Sequence, residues 1–567
     1  MKYDIYRKLS ACAMRQEKAD LVLKNAHIVD VFTDEIRTAD IAVAEGWIAA
    51  VGSGYKGREE IDLDGKYVLP GFIDAHLHLE STMVTPNELV SLAALHGTTT
   101  FIVDPHEAAN VSGPAGIDYI LDQTADSPAN VYVMMPSCVP ATDFDDNGYI
   151  LTADRMAPYL GNPRILGLGE VMNVPGVITA DPQLHAKLSL FQGKILDGHA
   201  PGLSEDELCA YAASGIRTDH EASSYEYALE EVRRGIHVHI REGSAAHNLR
   251  DIINGIIADG ISTENFSFCT DDKHIEDILR QGHIDHNVRT AVKLGLAPIQ
   301  AIKMATINTA RLYGLSRLGA IAPGRQADFI ITDDLYTLPI LSVYHKGREL
   351  VPDQAPVIPK CPYALRRTVH LDPIAPGIFR LPITKDTVHV IRLDAGQITT
   401  TNALRHFEKT ENYVPGRGYC KIAALERHKG SGLVGTGICE GYGIRGGAVA
   451  SSVSHDSHNI LVVGDNDEDM ASAVNEIIKH QGGYSLVCDG NVYETLPLPV
   501  MGLMSEAGFS EVDRKLKRMI QKAHEMGIPE ETDPFITLSF LALPVIPQIR
   551  ITPWGVLDTV NLKYIKY

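Results

Sequence analysis

Two histidines stand two residues apart at the end of an apolar run. They are His76 and His78 in the segment PGFIDAHLH, which spans 70–78. Because side chains alternate between the two faces of a strand, the two imidazoles point the same way. Imidazole nitrogens are common ligands of divalent metal ions, so this pair suits one ion. An HxH pair is weak support by itself, since two histidines in a strand are more often ordinary surface or core residues.

Further metal-ligand residue types follow other short apolar runs. They are Glu170, His199, His220 and Asp271. Taken singly, each is explained as a satisfied core residue or a helix cap. With the HxH pair they make four imidazoles and two carboxylates, more than one tetrahedral ion needs. The sequence therefore predicts two metal ions, with Glu170 as the bridging ligand.

The runs that carry these residues alternate with helical stretches over 71–318. Eight strand-like runs can be counted: GFIDAHLHLE, TTTFIVDPHE, VYVMMPSCVP, RILGLGEVMN, KILDGHAP, IRTDHEAS, HVHIREGS and FSFCTDD. Eight βα repeats in about 250 residues predict a TIM-like (β/α)8 barrel. Because the chemistry of that fold lies at the carboxyl ends of its strands, the predicted ligands would meet at one rim.

Strand patterns flank the barrel on both sides. Alternating apolar and polar residues occupy 19–69, and a matching patch returns at 319–350. These flanks predict one small β-sandwich built from both ends of an inserted barrel. After a proline-rich linker that starts at Val351, a further α/β domain is expected, with its clearest helix at 467–480. The predicted α/β organisation divides the chain into 1–70, 71–318, 319–350 and 351–567.

Composition limits the partners and the location. The 567 residues include 72 acidic and 51 basic side chains, a net charge of −21 that disfavours a nucleic-acid backbone as partner. No apolar run approaches the roughly 18 residues that span a bilayer, and the amino terminus lacks the apolar core of a secretory signal. We therefore expect a cytoplasmic protein with neither a nucleic-acid nor a membrane partner.

The motif set resembles the amidohydrolase superfamily and, within it, the adenine deaminase family. The superfamily resemblance covers residue 20 to about residue 350 and rests on PGFIDAHLH, the strand-end histidines, TDD and APGRQADFIITDD. The closer resemblance rests on HLHLEST, VDPHEAAN, GLGEVMN, LDGHAP, TDHEAS, IREGSA and the carboxyl-terminal VSHDSHN. In many superfamily members a carboxylated lysine from strand 4 bridges the metals, whereas this chain has Glu170 there.

The resemblance implies hydrolytic deamination of adenine to hypoxanthine and ammonia. It implies a binuclear centre of Mn²⁺ or Fe²⁺, with Zn²⁺ as the alternative, and a small purine base as partner; we also expect a homodimer. Asp271 is expected to accept a proton at the centre and to deliver it to the leaving amine. Glu221 or Glu80 would protonate a ring nitrogen, unless either one instead orients a ligand histidine.

Six more residues are predicted to recognise the purine or close its pocket. They are His106, Glu107, Arg241, Glu242, His455 and His458. The first four follow strands 2 and 7, where a salt-bridge network across the rim is the alternative. The last two lie in a polar turn at 454–459, which is expected to bring the carboxyl-terminal domain to the barrel mouth, with an ordinary surface turn as the alternative. His239, inside strand 7, is expected near the rim without binding metal.

Three alternatives to adenine deamination stay open. A cyclic-amide hydrolase similar to dihydroorotases and hydantoinases would ordinarily have lysine where Glu170 stands. Another aminopurine deaminase is compatible with the same metal pattern. A non-catalytic barrel that serves as an assembly scaffold is disfavoured, because such a scaffold would be marked by lost metal ligands and all the predicted ones are present.

Overall fold

The chain begins with one helix and five strands that precede the first predicted barrel strand. The computed structural model describes residues 1–144, 146–244, 246–352, 360–394 and 399–567, so most of the predicted proline-rich linker lies outside the described residues. The first elements are α1 (Tyr3–Ala13), β1 (Ala19–Asp30), β2 (Glu35–Ala44), β3 (Trp47–Gly52), β4 (Gly57–Asp62) and β5 (Tyr67–Pro70).

Eight strands then alternate with helices, and each strand coincides with one of the predicted runs. The strands are β6 (Phe72–Leu77), β7 (Thr98–Val103), β8 (Asn130–Met135), β9 (Ile165–Val171), β10 (Ile195–Gly198), β11 (Thr218–Asp219), β12 (His237–Arg241) and β13 (Phe266–Cys269). The helices are α2 (Pro86–Leu95), α3 (His106–Ser112), α4 (Pro114–Gln123), α5 (Ala153–Met156), α6 (Val174–Ile178), α7 (Pro182–Leu190), α8 (Glu205–Ala213), α9 (Tyr225–Arg233), α10 (Leu249–Asp259), α11 (Ile275–Gln281), α12 (Ile284–Leu294), α13 (Pro298–Met304) and α14 (Ile307–Leu312).

The eight strands form a curled parallel sheet in two hydrogen-bonded parts. One part has the order β10-β9-β8-β7-β6 and the other the order β11-β12-β13. Next to β6 and β13, the Asp271 N–H donates to the His76 carbonyl at 3.0 Å. Between β10 and β11, the Arg217 N–H donates to the Leu196 carbonyl at 3.0 Å. These contacts bring the two parts together at both junctions, so residues after β6 and β13 face one shared space.

Three further strands return and join the amino-terminal ones. They are β14 (Phe329–Thr332), β15 (Ser342–His345) and β16 (Arg348–Glu349). The sheet has the order β16-β15-β14-β5-β1-β2-β3, with β4 beside β1. Because β14 pairs directly with β5, strands from the two flanks of the parallel sheet share a single hydrogen-bonded sheet.

The carboxyl-terminal region contains a second eight-stranded sheet and a small antiparallel one. The strands are β17 (Thr387–Leu393), β18 (Thr400–His406), β19 (Tyr419–Leu425), β20 (Val434–Glu440), β21 (Gly447–Ser451), β22 (Ile460–Gly464), β23 (Gly483–Cys488), β24 (Asn491–Pro497), β25 (Ile549–Thr552), β26 (Gly555–Asp558) and β27 (Lys563–Ile565). The helices are α15 (Asp467–His480), α16 (Phe509–Glu525) and α17 (Pro534–Phe540). The large sheet has the order β18-β17-β20-β19-β22-β21-β23-β24, and β25, β26 and β27 form the small one.

Helix α15 confirms the helix predicted at 467–480, and Asn466 caps its amino terminus. The Asn466 side chain accepts a hydrogen bond from the Asp469 N–H at 2.8 Å, which satisfies one free backbone donor of the first turn. At the other end Gln481 takes the left-handed conformation first, and Gly482 follows it. The longest helix is α16, and within the described ranges no helix has the length and apolar character needed to cross a bilayer.

One apolar cluster runs from the parallel sheet into the carboxyl-terminal region. Met83 and Val84 contribute from the loop after β6, and Met504 and Phe535 from the carboxyl-terminal side, each at most 1% exposed. The Ser505 N–H also donates to the Met83 carbonyl at 2.8 Å. Since each Å² of apolar surface removed from water contributes about 25 cal/mol, the two regions stabilise each other.

We expect a chain truncated after residue 350 to lose solubility. The truncation would uncover buried apolar side chains such as Met83 and Val84, and exposed apolar patches of this kind promote aggregation. Size-exclusion chromatography of the 1–350 chain should show aggregates, or no soluble protein. A monodisperse 1–350 chain that is also active would contradict the mutual stabilisation.

Candidate metal centre

The predicted metal ligands converge at the carboxyl ends of the parallel strands. They are His76 in β6 and His78 after it, Glu170 in β9, His199 after β10, His220 after β11 and Asp271 after β13. Parallel strands place their carboxyl ends at the same edge of a sheet, and this is why positions so far apart in sequence meet. Apart from His199, which has 17% of its side chain exposed, all of these residues are buried.

Glu170 lies in the middle of the group and faces it with both carboxylate oxygens. Its Oε1 is 3.0 Å from His76 Nε2 and 2.9 Å from His78 Nε2. Its Oε2 is 3.2 Å from His199 Nδ1 and 3.7 Å from His220 Nε2. We call the space beside Oε1 subsite A and the space beside Oε2 subsite B. One carboxylate thus connects two pairs of imidazoles.

Asp271 completes subsite A from the opposite side. Its Oδ1 is 3.1 Å from His78 Nε2 and 3.7 Å from His76 Nε2. Its Oδ2 accepts a hydrogen bond from Arg241 Nη1 at 2.7 Å. The residue adopts a left-handed backbone with φ of 54°, which turns its side chain into the shared space directly after β13. Subsite A therefore has two imidazoles and two carboxylate oxygens as potential ligands.

The buried carboxylates in this cluster need compensating positive charge. Burial lowers the pKa of His78, but Glu170 and Asp271 more than offset it, so its pKa stands well above the ordinary value. Burial raises the pKa of Glu170, but the imidazoles led by His78 outweigh it, so its pKa is well below the ordinary value. Buried carboxylates of this kind need positive charge nearby, which either protonated imidazoles or bound metal ions would supply.

The donor set fits divalent metal ions better than it fits a hydrogen-bond network. Glu170 Oε1 and His199 Nδ1 are buried and have no hydrogen-bond partner among the described residues. Imidazole nitrogens and carboxylate oxygens are the ligands that Mn²⁺, Fe²⁺ and Zn²⁺ use in proteins. Glu170 also belongs to two groups that could hold a metal ion, one with His76 and His220 and one with His78 and His106.

Three aspartates that the sequence analysis did not single out orient the ligands. Asp104 Oδ2 accepts from the Glu170 N–H at 2.9 Å, and the Asp104 carbonyl lies 2.8 Å from His78 Nδ1. Asp197 Oδ2 is 3.6 Å from His76 Nδ1, and Asp74 Oδ1 accepts from the His76 N–H at 3.2 Å. Such partners fix the orientation of metal-binding side chains. A sequence signal exists, because DxH occurs at 74–76, 104–106 and 197–199. In β6 the alternation of side chains places Asp74 and His76 on one strand face.

The two candidate acids have different surroundings. Glu221 binds Arg241 with both oxygens, at 2.5 Å and 2.9 Å. Glu80 Oε1 accepts from the Ala108 N–H at 3.0 Å, while its Oε2 is buried without a hydrogen-bond partner in the described part of the chain. Burial, followed by the carboxylate of Glu107, raises the pKa of Glu80 to about 7. Glu80 is therefore suited to carry a proton, whereas Glu221 is held as the ionised partner of Arg241.

The residues that follow strands 2 and 7, and His239 inside strand 7, lie at different distances from the predicted metal ligands. His106 lies at the centre, with Nδ1 3.7 Å from Glu170 Oε1 and its ring 4.4 Å from that of His78. Arg241 forms the ion pairs described above, which corresponds to the rim network considered as the alternative. Glu242 lies away from the ligands and pairs with the exposed His247 at 3.0 Å. His239 is buried beside Tyr313, with its Nε2 3.1 Å from the phenol oxygen.

The polar turn at 454–459 reaches the carboxyl ends of the parallel strands, as predicted. His455 Nδ1 is 2.9 Å from Glu107 Oε1, and Asp456 Oδ1 is 3.7 Å from His106 Nε2. The Asn459 side chain donates to the Asp146 carbonyl at 2.7 Å. His458 is buried beneath the turn, where its Nδ1 accepts from the Ser454 N–H at 3.2 Å.

A cavity lies between this turn and the strand ends. Its polar lining residues include Ser81, Ser244, Asp272 and His455, and its apolar and aromatic ones include Val453, Tyr484 and Phe540. The Phe540 ring stacks on His455 at 4.8 Å between ring centres. A flat, partly polar molecule matches a lining of this kind.

Comparison with known proteins agrees with this geometry. The amidohydrolase family profile matches 67–357, and the profile of the adenine deaminase C-terminal domain matches 397–563. The adenine deaminase of Desulfitobacterium hafniense (strain Y51) is 51% identical over 562 residues, 99% of each chain. The chain belongs to the adenine deaminase family. A second member, the adenine deaminase of Clostridium acetobutylicum, is 43% identical over 571 residues, 98% of each chain.

Solved structures resemble the chain only over part of its length. A crystal structure of an adenine deaminase has 19% identity and a TM-score of 0.46, and the match covers 59% of this chain and 99% of that one. A β-aspartyl dipeptidase from Fervidobacterium islandicum has 18% identity and a TM-score of 0.45, with 60% and 99% covered. These likenesses are too weak to add to the family assignment, which rests on the sequence relatives.

Metal binding should weaken when the support of Glu170 is disturbed. A methyl group at Gly169 would overlap the Asp104 carboxylate, whose Oδ2 accepts from the Glu170 N–H. We expect Gly169→Ala to weaken the affinity for Mn²⁺ by about 10- to 100-fold, the usual cost of disturbing a group that orients a ligand. Isothermal titration calorimetry with Mn²⁺ measures this.

Gly161→Ala is the matched control, because a methyl group there meets no atom within 4 Å. It should bind Mn²⁺ like the wild type. If Gly169→Ala also bound Mn²⁺ with wild-type affinity, Asp104 would not be needed to position Glu170.

Proposed function

We propose that this chain catalyses the hydrolytic deamination of adenine to hypoxanthine and ammonia. The observation that carries the proposal is Glu170, whose two carboxylate oxygens face two separate pairs of imidazoles. Several relatives that align over nearly the whole chain, at 42% to 51% identity, are adenine deaminases. Family membership and ligand geometry therefore favour the same reaction.

The proposal includes two divalent metal ions, Mn²⁺ or Fe²⁺, with Zn²⁺ as the alternative. Subsite A would hold one ion with His76, His78, Asp271 and Glu170 Oε1, and subsite B the other with His199, His220 and Glu170 Oε2. When bound, such ions lower the pKa of water to near neutrality and so supply a nucleophile at physiological pH. A carboxylate bridge at this position makes a carboxylated lysine unnecessary.

We also infer that the curled parallel sheet is a closed (β/α)8 barrel, covering 71–318. Its support is the pair of backbone hydrogen bonds that connect the two sheet parts at both junctions. The flanking segments 1–70 and 319–350 would form the predicted β-sandwich, and 351–567 the additional α/β domain. The homodimer and the cytoplasmic location stay predictions from the sequence.

In the proposed reaction Asp271 moves protons. Water adds to C6 of adenine, the new C6–O bond forms, and the water proton passes to an Asp271 carboxylate oxygen. The same proton then passes to the exocyclic amine, the C6–N bond breaks, and ammonia leaves. The remaining hydroxyl proton departs as the C6=O bond forms and returns to the group that protonated the ring nitrogen. The Arg241 hydrogen bond to Oδ2 keeps the carboxylate oriented between these two transfers. General acid–base catalysis of this kind contributes about 10²- to 10⁴-fold to the rate.

Glu80 is the better candidate for protonating the ring nitrogen next to C6. Its Oε2 is buried without a hydrogen-bond partner among the described residues, so it can donate a proton to a substrate atom. Glu221 is ion-paired with Arg241. Its Oε1 also lies 3.5 Å from His220 Nε2, so its role is to orient that ligand. The purine would lie in the cavity beside Phe540, with His106 facing its edge.

A substrate panel tests the proposal. We expect the Mn²⁺-loaded chain to release ammonia from adenine and to do so poorly or not at all from adenosine, guanine, cytosine and hydantoin. Enzymatic determination of ammonia, together with chromatography of the product base, measures this. Hydantoin opening without ammonia release would favour a cyclic-amide hydrolase, and equal turnover of guanine would favour another aminopurine deaminase. Equal turnover of adenosine would contradict the free base as the preferred substrate.

Asp271→Asn should reduce kcat for adenine by about 10²-fold or more, because an amide cannot shuttle the proton. Asp272→Asn is the neighbouring control and should cause a much smaller loss, since the Asp272 carboxylate accepts from Ser81 rather than facing subsite A. Steady-state kinetics with adenine compares the two. A larger loss in Asp272→Asn than in Asp271→Asn would show that Asp271 is not the residue that transfers the proton.

A further inference from the structure

A third group of potential metal ligands lies outside both subsites. Glu107 comes from the start of α3, Asp272 from the loop after β13, and His455 from the carboxyl-terminal turn. One ligand atom from each lies within 4.8 Å of the other two. None of these residues belongs to subsite A or subsite B. The three segments are 165 or more positions apart in the chain, and only the packing of the carboxyl-terminal region onto the sheet brings them together.

The surroundings of Glu107 indicate independently that this group lacks a compensating cation. The residue is 1% exposed, and while its Oε1 faces His455, its Oε2 is buried without a hydrogen-bond partner among the described residues. The imidazole of His455, 2.9 Å from Oε1, is the cationic group that faces it within this group. One imidazole faces two carboxylates there, and a buried excess of negative charge is costly unless a cation compensates it.

The donor types suit the same ions as the proposed catalytic centre. One imidazole nitrogen and two carboxylates make a mixed nitrogen and oxygen set, which Mn²⁺, Fe²⁺ and Zn²⁺ accept. Ser81 donates a hydrogen bond to the Asp272 carboxylate and so holds it in place. The Phe540 ring, stacked on His455, does the same for the imidazole. Side chains fixed in this way are characteristic of built metal sites.

We propose that Glu107, Asp272 and His455 bind a third divalent metal ion that fastens the carboxyl-terminal region to the parallel sheet. Two ligands come from the sheet side and one from the carboxyl-terminal side, so the ion bridges them. This site goes beyond the proposed function, because none of the three residues transfers a proton in the deamination scheme, although Asp272 and His455 also line the cavity. Its role is structural: it fixes the turn that closes the cavity over the catalytic centre.

Metal counting on the full chain tests this site. The protein is stripped of metal, loaded with excess Mn²⁺, freed of unbound metal by gel filtration and measured by plasma mass spectrometry. We expect three equivalents in the wild type and two in both His455→Ala and Glu107→Gln. His480→Ala is the matched control, because it removes a partly exposed histidine from the end of α15, and it should keep three. Two equivalents in the wild type, or an unchanged count in the two variants, would overturn the site.

Anomalous diffraction at the manganese edge tests the third site on the wild-type protein, so the result does not depend on whether a variant folds. Crystals of the wild-type protein should give one peak between Glu107, Asp272 and His455, in addition to those beside Glu170. A map without that peak overturns the third site. If His455→Ala keeps the wild-type count and only its KM for adenine rises, the group contacts the substrate instead, which also overturns the site.

Adenine turnover, measured on the same samples, separates this proposal from the proposed function. A wild type with two ions and full deaminase activity would contradict the third site alone. A wild type with three ions that does not deaminate adenine would contradict the function and leave the site standing.

Discussion

The candidate metal centre depends on one buried carboxylate whose two oxygens face different groups of ligands. Each oxygen of Glu170 faces its own pair of imidazoles, at distances from 2.9 to 3.7 Å. A buried carboxylate in this position is stable only when positive charge lies on both sides of it. Ligands from β6 and from the segments after β6, β10, β11 and β13 surround Glu170, and Asp104 fixes the Glu170 backbone between them. The curled parallel sheet is therefore the scaffold that this constraint requires.

The carboxyl-terminal region covers part of the parallel sheet near the candidate metal centre. It buries the apolar loop after β6, and its polar turn extends to Glu107 and His106. Excluding water from a charged site strengthens every electrostatic interaction inside it. The same packing creates a cavity that is lined by both polar and apolar side chains. The cavity beside the candidate metal centre thus depends on the interface between the two regions.

Much of the site could be predicted from the sequence, because its ligands follow apolar runs at the ends of strands. The predicted strands, the central position of Glu170 and the position of the 454–459 turn all agree with the structure. The aspartates of the DxH pairs were missed, although the strand period places Asp74 on the same face as the ligand that follows it. Glu242 could not be placed, since its pairing with His247 depends on the conformation of a loop.

The group formed by Glu107, Asp272 and His455 was beyond prediction for a different reason. No local period connects residues that far apart, and each has an ordinary explanation in its own segment. Only the docking of one region onto another creates the shared space, and docking is decided by apolar packing summed over many side chains. Sequence patterns therefore locate sites within one sheet more readily than sites between regions.

The magnetic coupling between bound metal ions tests the central claim most directly. Electron paramagnetic resonance of the Mn²⁺-loaded chain should show a spin-coupled pair, because one carboxylate of Glu170 connects subsites A and B. In Glu170→Gln that coupled signal should disappear, since a neutral amide bridges two cations poorly. A wild type that shows only isolated Mn²⁺ ions, or a Glu170→Gln variant that keeps the coupled signal, would contradict the bridging role of Glu170.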